Sequence, residues 1–250
     1  MVYPVQRSHS YHKRTKKKKR SKLPFIISII IVIIIATFGF VFFLYNNLMN
    51  SKEMTDERVD YVFYMQGLEQ IYFLRTDRKE KINYLISIPK ISYEPIMAIS
   101  MDQSNPREIS RSVEKLFGAP DSTFYSSVNE KDYQIINSLA TSKGPVYSEL
   151  NINQFVEMIE SINLDWYEFL IFNKTKKLIS AQNENNYTKN SAYRLIHNIS
   201  KYANKEVPMT FMTKAPVTII VTDNQSNQKE YKRLYIDDKS LDTIMEFMKK

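Results

Sequence analysis

Cysteine and histidine supply the nucleophile or base of many hydrolases, and this chain offers almost none of them. It contains no cysteine, which excludes disulfides, thiolate catalysis and cysteine metal sites. Two of its three histidines, His9 and His12, lie in the first 22 residues, leaving His197 alone in the rest of the chain. A histidine cluster for zinc cannot be assembled from one histidine. A serine hydrolase would have to use His197, and the surrounding pattern argues against it. Ala192, Leu195, Ile196, Ile199 and Ala203 share one face of a helix predicted over 189–203, and His197 falls off that face, at a solvent-exposed position. The glycines, Gly39, Gly67, Gly118 and Gly144, are too few and too scattered for a glycine-rich phosphate loop or a dinucleotide fingerprint.

The net charge of +8 invites a nucleic-acid reading that its distribution withdraws. Arg7, Lys13, Arg14, Lys16, Lys17, Lys18, Lys19, Arg20 and Lys22 crowd residues 1–22, which hold no acid, so the remainder of the chain carries −1. The folded part is nearly neutral and no nucleic acid is expected as a partner. The tail lacks apolar periodicity, which predicts disorder. Its basicity is read first as a topology signal and second as attraction to anionic lipid.

Residues 25–44, FIISIIIVIIIATFGFVFFL, form twenty positions without a charge. A helix of that length spans about 30 Å, the thickness of a hydrocarbon core. The segment is apolar on every side, and no A-x-A cleavage pattern follows it. These features predict an uncleaved signal-anchor over 25–45, with the basic tail (1–24) in the cytoplasm and the carboxyl-terminal part outside. Residues 46–58 are expected to be a polar stalk and 59–250 a single extracytoplasmic domain.

That domain must position whatever chemistry remains. Residues 59–65 (VDYVFYM), 71–76 (IYFLRT) and 82–88 (INYLISI) are β-branched and aromatic runs separated by turn-like segments, which predict strands, the last two forming a hairpin. A fourth strand is expected over 95–101. Asn105, Pro106 and Glu108 carry the N-cap, first-turn and capping-box signals of a helix. Ile109, Val113, Leu116 and Phe117 give it one buried face, and Gly118 ends it. A strand is expected at 124–128, helices at 131–139 and around 152–162, and a strand at 166–172 paired with 177–180. A second hairpin, 217–221 with 230–236, crosses the polar turn DNQSNQ. Asp237 or Asp238 then caps a final helix. Strands alternating with helices predict an α/β (α+β) domain, a central mixed sheet flanked by helices.

This order of segments resembles the LytR-CpsA-Psr (cell envelope-related transcriptional attenuator) family of bacterial envelope proteins. Residues 69–93 are similar to that family's strand–turn–strand ending in Ser-Ile-Pro, matched by Ser87-Ile88-Pro89. Residues 112–139, with the VEKLFG ending, and 229–248 look like its helix–strand–helix and closing strand–helix. The resemblance implies a basic-tailed, single-pass cell-membrane protein. Its activity would move a glycopolymer from a polyprenyl-pyrophosphate carrier onto peptidoglycan with Mg²⁺.

Departures from the family pattern fall on the chemistry. The arginine–aspartate after Ser-Ile-Pro is here Lys90–Ile91, and the acidic motif before the second strand is Gly67-Leu68-Glu69-Gln70. A helix aspartate is replaced by Asn137, and the later arginine-rich stretch, near 183–193, holds only Lys189. On this resemblance Lys90 and Glu69 are the candidate catalytic positions. Ser87, Lys189 and Asn137 are the candidate substrate contacts, and Glu69 with Asp102 the candidate Mg²⁺ ligands. Arginine meets a pyrophosphate with a planar fork of donors, whereas lysine offers a point charge. The expected function is therefore that of a pseudoenzyme, binding a polyprenyl-linked glycan or assisting envelope assembly. The alternatives are a bitopic scaffold of the envelope or division machinery and an active phosphotransferase with a rebuilt site. Oligomeric state is not legible.

Overall fold

The structure is a computed structural model that describes residues 23–222 and 228–249. The basic tail and most of the polar DNQSNQ turn lie outside the described residues. Two compact units divide after Phe42. The first holds most of helix α1 (Leu23–Met49), which is long and apolar enough to cross a membrane and whose apolar window buries no residue. Inside it, Thr37 Oγ1 donates to Ile33 O at 2.8 Å, so its hydroxyl is satisfied without water. Residues 46–58, expected as a stalk, contain the end of α1 and the short helix α2 (Lys52–Thr55).

The second unit is built on β1 (Arg58–Met65), β2 (Gln70–Asp77) and β3 (Ile82–Pro89), an antiparallel meander. These strands are buried on both faces, which is why they read as near-continuous β-branched and aromatic runs. Gly67 and Glu69 turn the first connection through positive φ values of 84° and 51°. Where one strand over 95–101 is expected, the chain instead makes two short ones, β4 (Ser92–Glu94) and β5 (Ile99–Ser100). Pro95 supplies no N–H to a ladder. The buried Glu94 carboxylate accepts from Ile96 N at 2.9 Å and Met97 N at 2.5 Å, closing a turn in place of a strand.

Helix α3 (Pro106–Phe117) begins at the expected cap, with Asn105 Oδ1 accepting from Arg107 N at 2.8 Å in place of a capping box with Glu108, and Gly118 ends it at φ 80°. Strand β6 (Ser122–Val128) returns parallel to β1. Helices α4 (Glu130–Leu139) and α5 (Ile152–Glu160) follow, capped by Asn129 and Asn151 in reciprocal boxes with Asp132 and Gln154. The expected strand 166–172 and its partner 177–180 are helical instead: α6 (Glu168–Ile171) and α7 (Asn173–Ser180). Phe172 joins them in a left-handed conformation. Fully buried Glu168 holds the joint, its Oε1 accepting from Thr175 N at 3.0 Å.

Helix α8 (Lys189–Ile199) stops short of the expected 203, because Asn198 O accepts from both Lys201 N and Tyr202 N and turns the chain. Strand β7 (Ala203–Glu206) then pairs parallel with β3. The ribbon β8 (Val217–Thr222) and β9 (Gln228–Tyr235) and helix α9 (Asp238–Lys249) complete the fold.

The main sheet is mixed, in the order β6-β1-β2-β3-β7, and a second one runs β5-β4-β9-β8. One face of the main sheet, with Tyr61, Phe63, Tyr72 and Leu85, packs on apolar residues of α4, α5, α7 and α8. The other face, with Val62, Ile71, Phe73 and Ile86, packs on α3 and α9. Each such buried side chain contributes on the order of 2 kcal/mol. Beneath α3 lies a buried cross-strand pair in which Arg75 meets both Asp60 oxygens at 2.7 Å. Burial pushes the Asp60 carboxyl up to about 6 against the pull of that guanidinium. Arg75 also donates to Phe117 O and Gly118 O, a cation at the carboxyl end of α3.

Candidate functional site

The hairpin brings two of the predicted site residues together. Gln70 pairs with Pro89 at the end of the β2–β3 ladder, so Glu69 and Lys90 meet one step beyond it. Lys90 N donates to Glu69 O at 2.9 Å, and Lys90 Nζ stands 3.3 Å from Glu69 Oε2. The ammonium also lies over the Tyr64 ring, 5.1 Å from its centre. Partial burial works against the Lys90 charge. Hydrogen bonding with Tyr64 and Glu69 outweighs that burial and holds its pKa above the usual lysine value. The Glu69 side chain is 59% exposed, so the pair is worth at most about 1 kcal/mol.

Ser87, Asn137 and Lys189 do not converge on that pair. Strand alternation turns Ser87 to the opposite face of β3, where its Oγ donates to Gln70 Oε1 at 3.2 Å. Asn137 serves its own loop, its Oδ1 accepting from Gly144 N at 2.9 Å. It sits eight residues along from the Asn129 cap, about 12 Å down α4. Lys189 begins α8 beside Thr188, whose Oγ1 donates to Glu53 Oε1 at 3.0 Å. That places Lys189 near the start of β1, whereas Lys90 and Glu69 lie beyond its end, with a strand of roughly 25 Å between. Asp102 follows β5, its amide donating to Ser100 Oγ at 3.2 Å.

Among the described residues no group of three or more His, Asp or Glu side chains gathers as a metal site. Mg²⁺ demands near-octahedral oxygen donors, and Glu69 offers a single carboxylate already facing a lysine. Alone these side chains do not complete an Mg²⁺ shell; one or two carboxylates together with substrate phosphate oxygens usually do.

The structure also reveals residues the sequence did not single out. A cavity of about 280 Å³ opens beside the β1–β2 turn, lined by Gln66, Gly67, Leu68, Glu130, Tyr147 and Ser148. It lies at the carboxyl ends of the parallel pair β1 and β6, where ligands of open α/β sheets commonly bind. Its volume falls at the lower edge of the range for drug-sized ligands. Tyr147 Oη, bonded to Gln66 O and Val128 O at 2.8 and 2.7 Å, walls it off from the core. Turn-like Gly67 was its only signal in the sequence.

Arg194, one residue past 183–193, is 1% exposed. Its guanidinium donates to Glu53 O, and through Nη2 to Asp56 O at 2.9 Å. It ties α8 to α2 and does not face the Glu69–Lys90 pair.

A larger cavity, about 660 Å³, lies away from these residues and is lined in part by Tyr45, Glu160, Trp166, Phe169, His197 and Lys201. His197 is half-buried there, in place of the exposed position predicted, and stacks on Tyr193 with ring centres 6.1 Å apart. Ser200 Oγ donates to the His197 carbonyl at 3.0 Å, not to its ring, so no serine–histidine pair forms between them.

The fold defines a class, the mixed α/β domains of the LytR-CPS2A-Psr type. The structure superposes on TagV of B. subtilis with a TM-score of 0.53 and 10% identity, covering 78% of this chain and 97% of that one. It superposes on the Lin1025 protein of Listeria innocua at 0.52 with 12% identity, covering 78% and 98%. TagT solved with bound octaprenyl pyrophosphate gives a weaker 0.47 at 12% identity over 80% and 92%, a likeness that carries no argument. No family model matches the sequence, and no curated protein does. This chain has the LytR-CPS2A-Psr fold, as its segment order suggested, and at such identities the likeness establishes fold alone.

Proposed function

We propose that this chain is a membrane-anchored bacterial cell-envelope protein that has kept the LytR-CPS2A-Psr fold without its transferase chemistry. It works by binding a polyprenyl-linked glycan or by assisting envelope assembly, with its amino terminus in the cytoplasm and its domain outside. The observation that carries this reading is the Glu69–Lys90 ion pair. Phosphoryl transfer rests on positioned charge that neutralises the moving phosphoryl group. Here Lys90 stands beside an opposing carboxylate, while Lys189 begins α8 and Asn137 Oδ1 accepts from Gly144 N. Any Mg²⁺ would arrive on the pyrophosphate, with Glu69 as a nearby carboxylate.

The test is direct. The full chain, extracted from membranes, is incubated with a polyprenyl-pyrophosphate glycan, peptidoglycan and Mg²⁺, and its retained lipids are measured. The expected result is bound polyprenyl lipid and no transfer. Transfer that collapses on Lys90→Ala would overturn the non-catalytic reading and favour a rebuilt active site. A second reading, a bitopic scaffold, is favoured by the filled interior around Tyr61, Phe63, Phe124, Phe155 and Tyr187. Membrane-extracted protein free of polyprenyl lipid would decide for the scaffold.

A further inference from the structure

The chain has a single tryptophan, Trp166, and its side chain is 77% exposed. Tyr167 and Ile171, on the same short segment, are 39% and 48% exposed. This is not a loose loop. Buried Glu168 accepts from Thr175 N, Phe172 N donates to Glu168 O, and left-handed Phe172 fixes the corner between α6 and α7. A corner held by a buried carboxylate and a non-glycine left-handed residue presents its apolar side chains in a set direction. Lys174, Lys176 and Lys177 follow within α7, the last two exposed.

The ring of Tyr45 meets the ring of Phe169 edge-on, with centres 5.3 Å apart. Tyr45 is the residue next after the apolar run 25–44. If that run spans the hydrocarbon, connectivity alone keeps Tyr45 at headgroup level, and the contact brings the 166–177 segment to the same level. Tryptophan and tyrosine favour that zone because their rings are apolar and their tips polar. Lysines just beyond it are drawn to anionic lipid.

We propose that segment 166–177 is a second membrane contact, an aromatic knob and lysine pair seated on the anionic headgroups of the bilayer that α1 crosses. The proposal rests on the anchor reading of α1 and on no part of the glycan reading. Each lysine contributes about 5-fold to the contact equilibrium, so the pair contributes about 25-fold.

Because Trp166 is the only tryptophan, its fluorescence reports this contact without labelling. The full chain is reconstituted into phosphatidylcholine vesicles with and without phosphatidylglycerol, carrying bromine on the shallow part of the acyl chains. Flotation of the vesicles is scored alongside emission. The expected result is co-flotation, with blue-shifted and quenched emission in the anionic vesicles. In the double variant Lys176→Glu, Lys177→Glu, quenching falls to the level in phosphatidylcholine alone. A chain that floats while Trp166 keeps an unquenched, water-like emission overturns the contact and leaves the anchor standing. A chain that does not float overturns the anchor, and the contact with it. A double variant quenched as strongly as the parent overturns the part given to the lysines.

Discussion

Arg194 offers the sharpest test of how the domain is fastened to the segment that follows α1. Replacing it with Met keeps an unbranched stem in the same place and deletes the guanidinium. Two hydrogen bonds from a charged donor are lost, to Glu53 O and Asp56 O, each worth about 1.5–3 kcal/mol. Against this, the variant no longer buries a cation that has no carboxylate within salt-bridge distance among the described residues. Burial already lowers the pKa of that guanidinium, the sign that its charge is costly there. The net loss is on the order of 2–4 kcal/mol, or about 5–15 °C in Tm for a domain of this size. The loss should also be local. Thr55 N and Asp56 N bond Ser51 O and Lys52 O within α2, and their amide hydrogens should exchange much faster in the variant than in the parent. Thermal melts and hydrogen exchange by mass spectrometry read the two effects separately. A variant that melts within about 2 °C of the parent, with α2 still protected, would refute the claim that Arg194 holds it.

Other expectations follow from the same contacts. Lys90→Ala should move Tm by no more than about 4 °C in calorimetry, since it removes a pair whose carboxylate is 59% exposed; a larger drop would mean the pair is structural. Glu168→Ala should cost about 1–3 kcal/mol in urea melts by leaving Thr175 N without its buried acceptor. Burial pushes Tyr72 up to about 12 and raises Tyr61, Tyr147 and Tyr187 as well. A raised pKa adds stability that is complete below the unfolded value near 10 and lost as pH rises through the folded value. Phenolate absorbance should therefore show these four ionising only with alkaline unfolding, and a smooth titration of every tyrosine around pH 10 would contradict their burial.

Where local signals and long-range packing agree, the fold was legible. The runs at β1, β2 and β3 have no competing period, and Asn105-Pro106 through Gly118 frames α3 with start and stop residues that act locally. The failure at 166–172 has the opposite cause. WYEFLIF has a strand's composition, and its helical course depends on a carboxylate bonded seven residues onward, which no local pattern displays. The site divides in the same way. Glu69 and Lys90 meet because hairpin register dictates it, and Ser87 turns away by alternation. Asn137 and Lys189 were assigned from their order along the chain, which does not say at which end of the sheet a residue arrives.

The order in which the strands are laid down has a kinetic consequence. The meander β1–β2–β3 is complete in sequence by Pro89, yet its flanking partners come from 122–128 and from 203–206. At synthesis rates of about 5–20 residues per second, on the order of ten seconds pass between the emergence of β3 and of β7. At the start of that interval the three-stranded sheet, apolar on both faces, has no cover; α3 and β6 then close one face and the β1 edge, while the β3 edge stays open until β7 arrives. Non-local parallel pairing is slow to form even when the partners are present. The nascent chain is thus most prone to misassembly while only its centre has been made, and substitutions that slow the docking of β6 should lower yield before they lower stability.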